Sequence, residues 1–241
     1  GRGGEVSVTI IHTPGTIPGL EGEQRIAVLK EDTHLSRWIE QEHRLDADLC
    51  GLIPLVLDLI PEGSVVVDAG ASLGDHTAAY ATKAGVVHAF EPQPESFACL
   101  QHNCGELANA KLYNWGLSDC EVQTSIARDP NVGASRITPR GGTTIIVGTL
   151  DSLGLSPALI KWDVEGHEVR ALRGARMTIL RCCPIMVIEV NGAALEAAGS
   201  SIAGLHRELC WLEYPRCHDI RTGVPFNPYD GKREYDIVCL P

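Results

Sequence analysis

Four acids sit at the ends of short apolar runs: Asp68 after "SVVV", Glu91 after "VVHAF", Asp163 in "ALIKWDV" and Glu189 in "PIMVIEV". Behind Asp68 the chain reads "AGASLGDHT", where Gly70 and Gly74 bracket a turn into a helical pattern. Loops of this kind cradle cofactors, because glycine lets the backbone turn sharply and approach a ligand closely. A pyrophosphate would rest on the helix N-terminus behind such a loop, and a carboxylate at its mouth would repel it. A cofactor bearing an ammonium and a sulfonium would be attracted instead. S-adenosylmethionine carries both, and its own carboxylate can still meet loop N–H groups.

Glu91 lies 23 residues beyond Asp68, where an acid hydrogen-bonds a ribose diol in nucleotide-binding βαβ units. Pro92 then turns the chain off the strand. In "IKWDVEGHE" the two-residue period of a strand puts Lys161 and Asp163 on one face and Trp162 on the other. Glu165 and Glu168 also suit a helix start, whose dipole favours acids, with Gly166 making the turn. That reading leaves Lys161 and Asp163 unexplained in a strand that ought to be apolar.

Methyl transfer from such a cofactor to a protic acceptor would need a group to take the proton. His76, just past the glycine turn, is one candidate base, and a solvent-facing helix histidine is the alternative. Lys161 is a second candidate if desolvated, and an ion pair with Asp163 is the plainer role. Asp163 completes the expected catalytic set. His34, beside Trp38, is a candidate wall of the acceptor pocket. A metal route would use Asp163, Glu189 and Asn191 as hard oxygen ligands for Mg²⁺.

The elements that must position these residues follow from patterning. "SVVVDA", "VVHAFEP", "KLYNWGLSD", "ALIKWDV" and "PIMVIEV" read as successive buried strands. Helices are expected over "HTAAYATKA", "PESFACLQHNCGEL", "GHEVRALRGARMTILR" and a Gly/Ala-rich stretch out to about Cys210. "EVQTSIARD", "ASRIT" and "TTIIVGTLDSL" form a polar, β-rich excursion. "CWLEYP" and "EYDIVCL" read as a closing hairpin. Before the first glycine turn, "DTHLSRWIEQEHRLDADLCGLIPLVLDLI" suggests two helices, with Asp32 or Thr33 as a cap and Pro61-Glu62-Gly63 as the stop. Alternating strands and helices make an α/β fold with a parallel sheet, and ligands bind such sheets at the carboxyl ends of the strands.

The chain of 241 residues, 44% hydrophobic and 21% charged, suits one such domain with an appendage. A formal charge of −11 and the lack of any basic run argue against a phosphate-tracking nucleic-acid binder. Nine cysteines include no C-x-x-C pair, so they read as reduced, small apolar residues; Cys210 with Cys217 and His218 is the nearest approach to a zinc set. The N-terminus has no apolar signal region, and "LCGLIPLVLDLI" is too short to span a bilayer. A cytoplasmic protein is expected, with no membrane partner.

"VVVDAGASLGDHTAAYA", "VHAFEPQPESFACLQHN", "NWGLSD", "TLDSL" and "IKWDVEGHEVRALRGA", in that order, resemble the FkbM family of class I methyltransferases, over roughly residues 63–191. The resemblance implies a Rossmann-like, seven-stranded, mostly parallel sheet with an antiparallel last strand. It also implies S-adenosylmethionine as methyl donor and a hydroxyl acceptor on a sugar or polyketide-type small molecule. By the same resemblance Asp68, Gly70, Ala71, Ser72 and Gly74 form the cofactor loop, and Glu91 with Pro92 meets the ribose. Asn114, Gly116 and Leu117 line the adenine side, and Asp163, Glu165 and Gly166 match the family's D-V-E-G. Ser72 stands where the family commonly has Asn, and Trp162 where it has a smaller apolar residue. Residues 1–60 would form a lid over cofactor and acceptor, residues 61–241 the methyltransferase domain, and a homodimer sharing lids is expected. The rivals are a nucleotide-dependent oxidoreductase or epimerase on a related fold, and a non-catalytic protein that keeps the cofactor site. Asp68 and the absence of a Y-x-x-x-K pair in a helical context disfavour the first.

Overall fold

Three consecutive valines open β3 (Val65–Ala69), where branched side chains pack well on a pleated surface and lose rotamers in a helix. The computed structural model describes residues 9–46, 51–127, 136–138 and 142–241. In it β3 is an interior strand, between β10 and β4, of a seven-stranded sheet of order β12-β13-β11-β10-β3-β4-β5. Around β3 lie β4 (Val86–Phe90), β5 (Ala110–Tyr113), β10 (Leu159–Trp162) and β11 (Ile185–Asn191), all parallel. β13 (Glu234–Cys239) runs antiparallel to both β11 and β12 (Cys217–Asp219). The strand reversed is therefore the last in the chain, as expected of a class I methyltransferase sheet.

Helices cover both faces. On one, α2 (Ile53–Leu59) and α3 (Asp75–Ala81) pack on Val66, Val87, Leu159 and Val187, with Tyr80 fully buried among them. On the other, α5 (Glu168–Arg173) and α8 (Ile202–Trp211) cover Trp162, Ile188, Leu172, Leu205 and Leu209. The single expected helix over residues 166–181 is two: α5 ends near Gly174, and α6 spans Arg176–Cys182. A Cβ on Gly174 would meet Ser118 O at 1.8 Å, so the chain bends there against the neighbouring loop. The β-rich excursion builds a second sheet of order β6-β9-β7-β8, from Gly116–Leu117, Thr143–Gly148, Val122–Ala127 and Arg136–Thr138.

The N-terminal segment does not stand apart. β1 (Ile10–Gly15) and β2 (Gln24–Leu29) form a hairpin, followed by α1 (Leu35–Glu42). The N-cap is His34 rather than Asp32 or Thr33, but Asp32, two residues before it, still braces the helix start, accepting from Ser36 N at 2.7 Å and His34 N at 3.2 Å. Asn103 on α4 (Pro94–Cys104) accepts from Ala27 N at 2.7 Å and donates to Ala27 O at 3.0 Å and to Leu73 O at 2.8 Å. Ile26, Val28, Ile39, Ala71, Leu73 and Leu100 share one core, so the hairpin is joined to the glycine turn itself. α2 lies under the sheet, and the chain has no structural break at residue 60.

Two expectations change at the C-terminal end. "CWLEYP" is the end of α8 and a turn, because Leu205, Leu209 and Leu212 are buried at helical spacing and outweigh the short aromatic run. The closing hairpin instead pairs Cys217–Asp219 with Glu234–Cys239. Cys217 and Cys239 face each other with Cα atoms 4.3 Å apart and are disulfide-bonded, so they are not reduced and Cys217 is not available to a zinc set. Cys99 and Cys104 do behave as buried core residues. No helix among the described residues is long and apolar enough to cross a membrane.

Candidate active site

The glycine turn is built around two close approaches. Gly70 has φ +86°, and a Cβ there would lie 1.7 Å from Asp163 O, so any side chain would push β10 away from the turn. Gly74 has φ +99°, and its Cβ would sit 2.6 Å from Cys104 Sγ. The turn is pinned to the next strand, since Gly70 N and Ala71 N both donate to Phe90 O at 3.0 Å. Ser72 sits at φ +48° and donates its N–H to Glu91 Oε2 at 2.9 Å. Glu91 Oε1 accepts from Gln93 N at 2.7 Å. Buried at the end of β4, the Glu91 carboxyl is pushed up to about 7 by desolvation, against the pull of those two N–H groups. Each of its oxygens keeps a lone pair for a further donor, such as a ribose hydroxyl.

Asp68 is fully buried behind this turn. One oxygen, Oδ2, accepts from Thr77 Oγ1 at 2.6 Å. The other, Oδ1, is buried with no hydrogen-bond partner. Desolvation raises its pKa, with Lys161 and the Thr77 bond acting in the opposite direction. An orphaned carboxylate oxygen is costly, and the cost is removed when a donor or cation arrives beside it.

Lys161 pairs with Asp68 in register across β10 and β3, and both point to the α3 face. Its ammonium donates to Asp163 Oδ2 at 2.8 Å and is almost completely buried. Burial alone would lower the lysine, but Asp163 and Asp68 together outweigh it and hold the ammonium protonated, well above the ordinary lysine range. Against the expectation of Lys161 as a base stands its place here as a buried cation paired with Asp163. Glu189, two residues beyond the register partner of Lys161 on β11, is accessible to solvent but crowded by Asp163. That charge above all pushes Glu189 up to about 9, and the two carboxyls are hydrogen-bonded to each other.

His76 was expected to be tuned near neutrality. Instead burial, and then Lys161, push it well below the ordinary histidine range. Its Nδ1 is hydrogen-bonded to the Tyr80 hydroxyl at 2.6 Å, and its Nε2 lies 3.8 Å from Asp75 Oδ2. Asp75 is buried and pushed up to about 7 by desolvation. Sequence reasoning passed over Asp75, Thr77 and Tyr80, although Tyr80 is one helical turn from His76 on the same face, a spacing that could have found it.

The other candidates fall as follows. Asn114 Nδ2 donates to Glu91 O at 3.0 Å and Pro92 O at 3.4 Å, which fixes the bend after β4. Gly116 approaches Pro92 closely, and Leu117 is buried in the core beside Phe90 and Trp162 rather than lining an open site. The magnesium set does not form. Asn191 Oδ1 accepts from Ala193 N and Ala194 N at 3.1 Å and so caps α7 (Gly192–Ala197), while Asp163 is engaged by Lys161. Among the described residues no three His, Cys, Asp or Glu side chains converge as a metal site. His34 is exposed and hydrogen-bonded to Thr33 at 3.0 Å. Glu165, at φ +51°, and Gly166, at φ +93°, make the D-V-E-G turn, and a Cβ on Gly166 would meet Ala194 O at 2.4 Å.

A glycine turn after the interior strand β3, a latching acid at the end of the next and an acid on its other neighbour define the site of a class I methyltransferase. The model of the methyltransferase FkbM domain matches residues 68–219, and the chain belongs to that family. Hexuronic acid methyltransferase AglP of Haloferax volcanii is 30% identical over 148 residues, which cover 58% of this chain and 61% of that protein. The chain thus spans about three fifths of that relative's length. Among solved structures, methyltransferase FkbM from Methylobacillus flagellatus superposes with a TM-score of 0.47 at 19% identity, covering 76% of this chain and 44% of that one. A TehB-like methyltransferase from Corynebacterium glutamicum superposes with a TM-score of 0.47 at 14% identity, covering 80% and 88%.

Proposed function

We propose that the protein is an S-adenosylmethionine-dependent O-methyltransferase acting on a hydroxyl of a sugar-type small molecule. The observation that carries the reading is Asp68: a fully buried carboxylate with an unpartnered oxygen at the head of a glycine turn. Two carboxylates, Asp68 and Asp163, face the single ammonium of Lys161, which leaves the pocket receptive to a cation. The donor supplies an electrophilic methyl group when bound. Gly70 and Gly74 keep the turn open to it, and Glu91 holds the ribose hydroxyls with the lone pairs its backbone contacts leave free. A sugar acceptor is supported by the AglP relative, whose name gives a hexuronic acid as substrate.

For proton removal the reading turns to Asp163. It is a quarter exposed, is held in place by the Lys161 ammonium and is hydrogen-bonded to Glu189, so a carboxylate is positioned to take a hydroxyl proton as the methyl group is transferred. His76 and Tyr80 act as a neutral, hydrogen-bonded wall of the same pocket. The hairpin β1–β2 and α1 brace the glycine turn through Asn103, and we assign them the closing of the pocket over the acceptor.

A thermal-shift panel of adenosylmethionine, adenosylhomocysteine, NAD and NADP tests the cofactor. Stabilisation by the first two alone is expected; stabilisation by a nicotinamide nucleotide would favour the oxidoreductase rival. Transfer of a labelled methyl group to glucuronoside acceptors, with the product stable to base, then separates an enzyme from a binding protein and an ether from an ester.

A further inference from the structure

On the sheet face opposite α3, a groove of about 470 Å³ opens between α5, α6 and α8. Four arginines line it: Arg170 and Arg173 from α5, Arg176 at the start of α6 and Arg207 from α8. Such a concentration is unexpected in a chain with a net charge of −11. One buried acid answers two of them, and a second acid stands near a third. Glu208 is buried and accepts from Arg173 Nε at 3.1 Å and Arg176 Nε at 2.7 Å, so it is fully engaged by those two. Asp119 lies 3.9 Å from Arg170, beyond hydrogen-bond distance, and Arg207 pairs with no acid among the described residues.

The head of the groove adds donors. α5 and α8 both begin there, beside Gly166 and the loop Gly199–Ser201. A Cβ built on Gly204 would lie 3.2 Å from both Ser200 Oγ and Ser201 Oγ and 3.9 Å from an Arg207 guanidinium nitrogen. The guanidinium therefore reaches back to the first turn of its own helix, next to two hydroxyls. Ser201 Oγ accepts from Gly204 N at 3.0 Å, which leaves its proton to donate outward. At the far end the Arg176 guanidinium lies 4.0 Å over the Trp211 ring, giving a flat, half-exposed floor.

We infer that this groove is an anion site that takes a phosphate or pyrophosphate ester. Guanidinium forks match phosphate oxygens two at a time. Four cations against Glu208 and the more distant Asp119 leave an excess of two positive charges, more than a single carboxylate would neutralise, whereas a phosphate ester brings roughly two negative charges and a pyrophosphate more. The groove is distinct from the cofactor turn, since it lies on the other face of the sheet and shares no residue with Asp68–Asp75 or Glu91.

Inorganic pyrophosphate is the probe. Calorimetry on the whole chain at low salt should give sub-millimolar binding that weakens as NaCl is raised. Arg170→Gln and Arg207→Gln should each weaken it roughly tenfold, the scale of one charged hydrogen bond, while Arg216→Gln, exposed elsewhere, should not. Saturating adenosylhomocysteine should leave the binding in place. The assignment is overturned if pyrophosphate does not bind at millimolar concentration, if both groove variants bind as wild type, if adenosylhomocysteine displaces it, or if glucuronate binds as tightly. Melting temperatures of both exposed-arginine variants, measured alongside, separate a lost site from a lost fold.

Discussion

At the scale of single residues, the site depends on carboxyls whose protonation is set by burial and by each other. Glu189 titrates at about 9 in the folded chain and near 4.5 in an ordinary carboxyl. Between those values the unfolded chain has released the proton that the folded chain keeps, so this contribution to stability is complete below pH 4.5 and is lost as pH rises towards 9. Above pH 7, where Asp75 and Glu91 have titrated, Glu189 is the carboxyl that continues the loss. The melting temperature of the ligand-free protein should therefore fall from pH 7 to pH 9, and Glu189→Gln should flatten that fall; an unchanged slope would remove Glu189 from the pair. Lys161→Met probes the other side of Asp163. Without the ammonium, Asp163 loses the partner that holds it in place, so kcat should fall by ~100-fold, in the range of a lost general-base contribution, whereas Lys161→Arg, which keeps the charge, should retain part of the rate. Equal rates in the two variants would remove the charge of Lys161 from the site's function. The acids were legible from sequence because they close apolar runs. The partnerships were not, because the register between β3, β10 and β11 decides which face each acid shares with Lys161, and no spacing within one strand contains that register.

At the scale of elements, the glycine turn is held from three directions: β4 through Phe90 O, β10 through the contact of Gly70 with Asp163, and the N-terminal hairpin through Asn103. Gly70→Ala demands both a left-handed alanine and a displaced Asp163, and should cost at least ~2 kcal/mol of stability together with cofactor binding. Asn103→Ala removes three buried hydrogen bonds, at about 1 kcal/mol each or more where a partner is left unsatisfied. If the hairpin braces the turn, adenosylmethionine affinity should drop along with melting temperature; a fall in melting temperature alone would make the hairpin merely structural. The turn, the strands and most helices were readable because glycine, valine runs and apolar periodicity are local signals. The Cys210–Pro215 run misled because aromatic residues at a helix end look like a strand when the buried leucines at 205, 209 and 212 are not weighed with them. The split of α5 from α6 was hidden for a different reason: it is caused by the Ser118 carbonyl, which comes from a distant part of the chain.

At the scale of the whole molecule, the two faces of the sheet carry different charge. The α3 face gathers Asp68, Asp75, Asp163 and Glu189 around one lysine, and the α5–α8 face gathers arginines around one glutamate. A cationic donor and an anionic group would thus be drawn to opposite sides of the same sheet. Sequence composition reported only the sum, −11, and so concealed the positive face. Ligand linkage gives the global readout: at 100 times its dissociation constant a ligand specific for the folded state adds about 2.7 kcal/mol. In the proposed function the unpartnered oxygen of Asp68 receives the cationic methyl donor. Calorimetric titration of wild type and Asp68→Asn with adenosylmethionine tests it most directly. Wild type should bind, and Asp68→Asn, which keeps the shape and the Thr77 contact but loses the charge, should bind at least ~10-fold more weakly, the scale of one charged contact. Equal affinities in the two proteins would contradict the account.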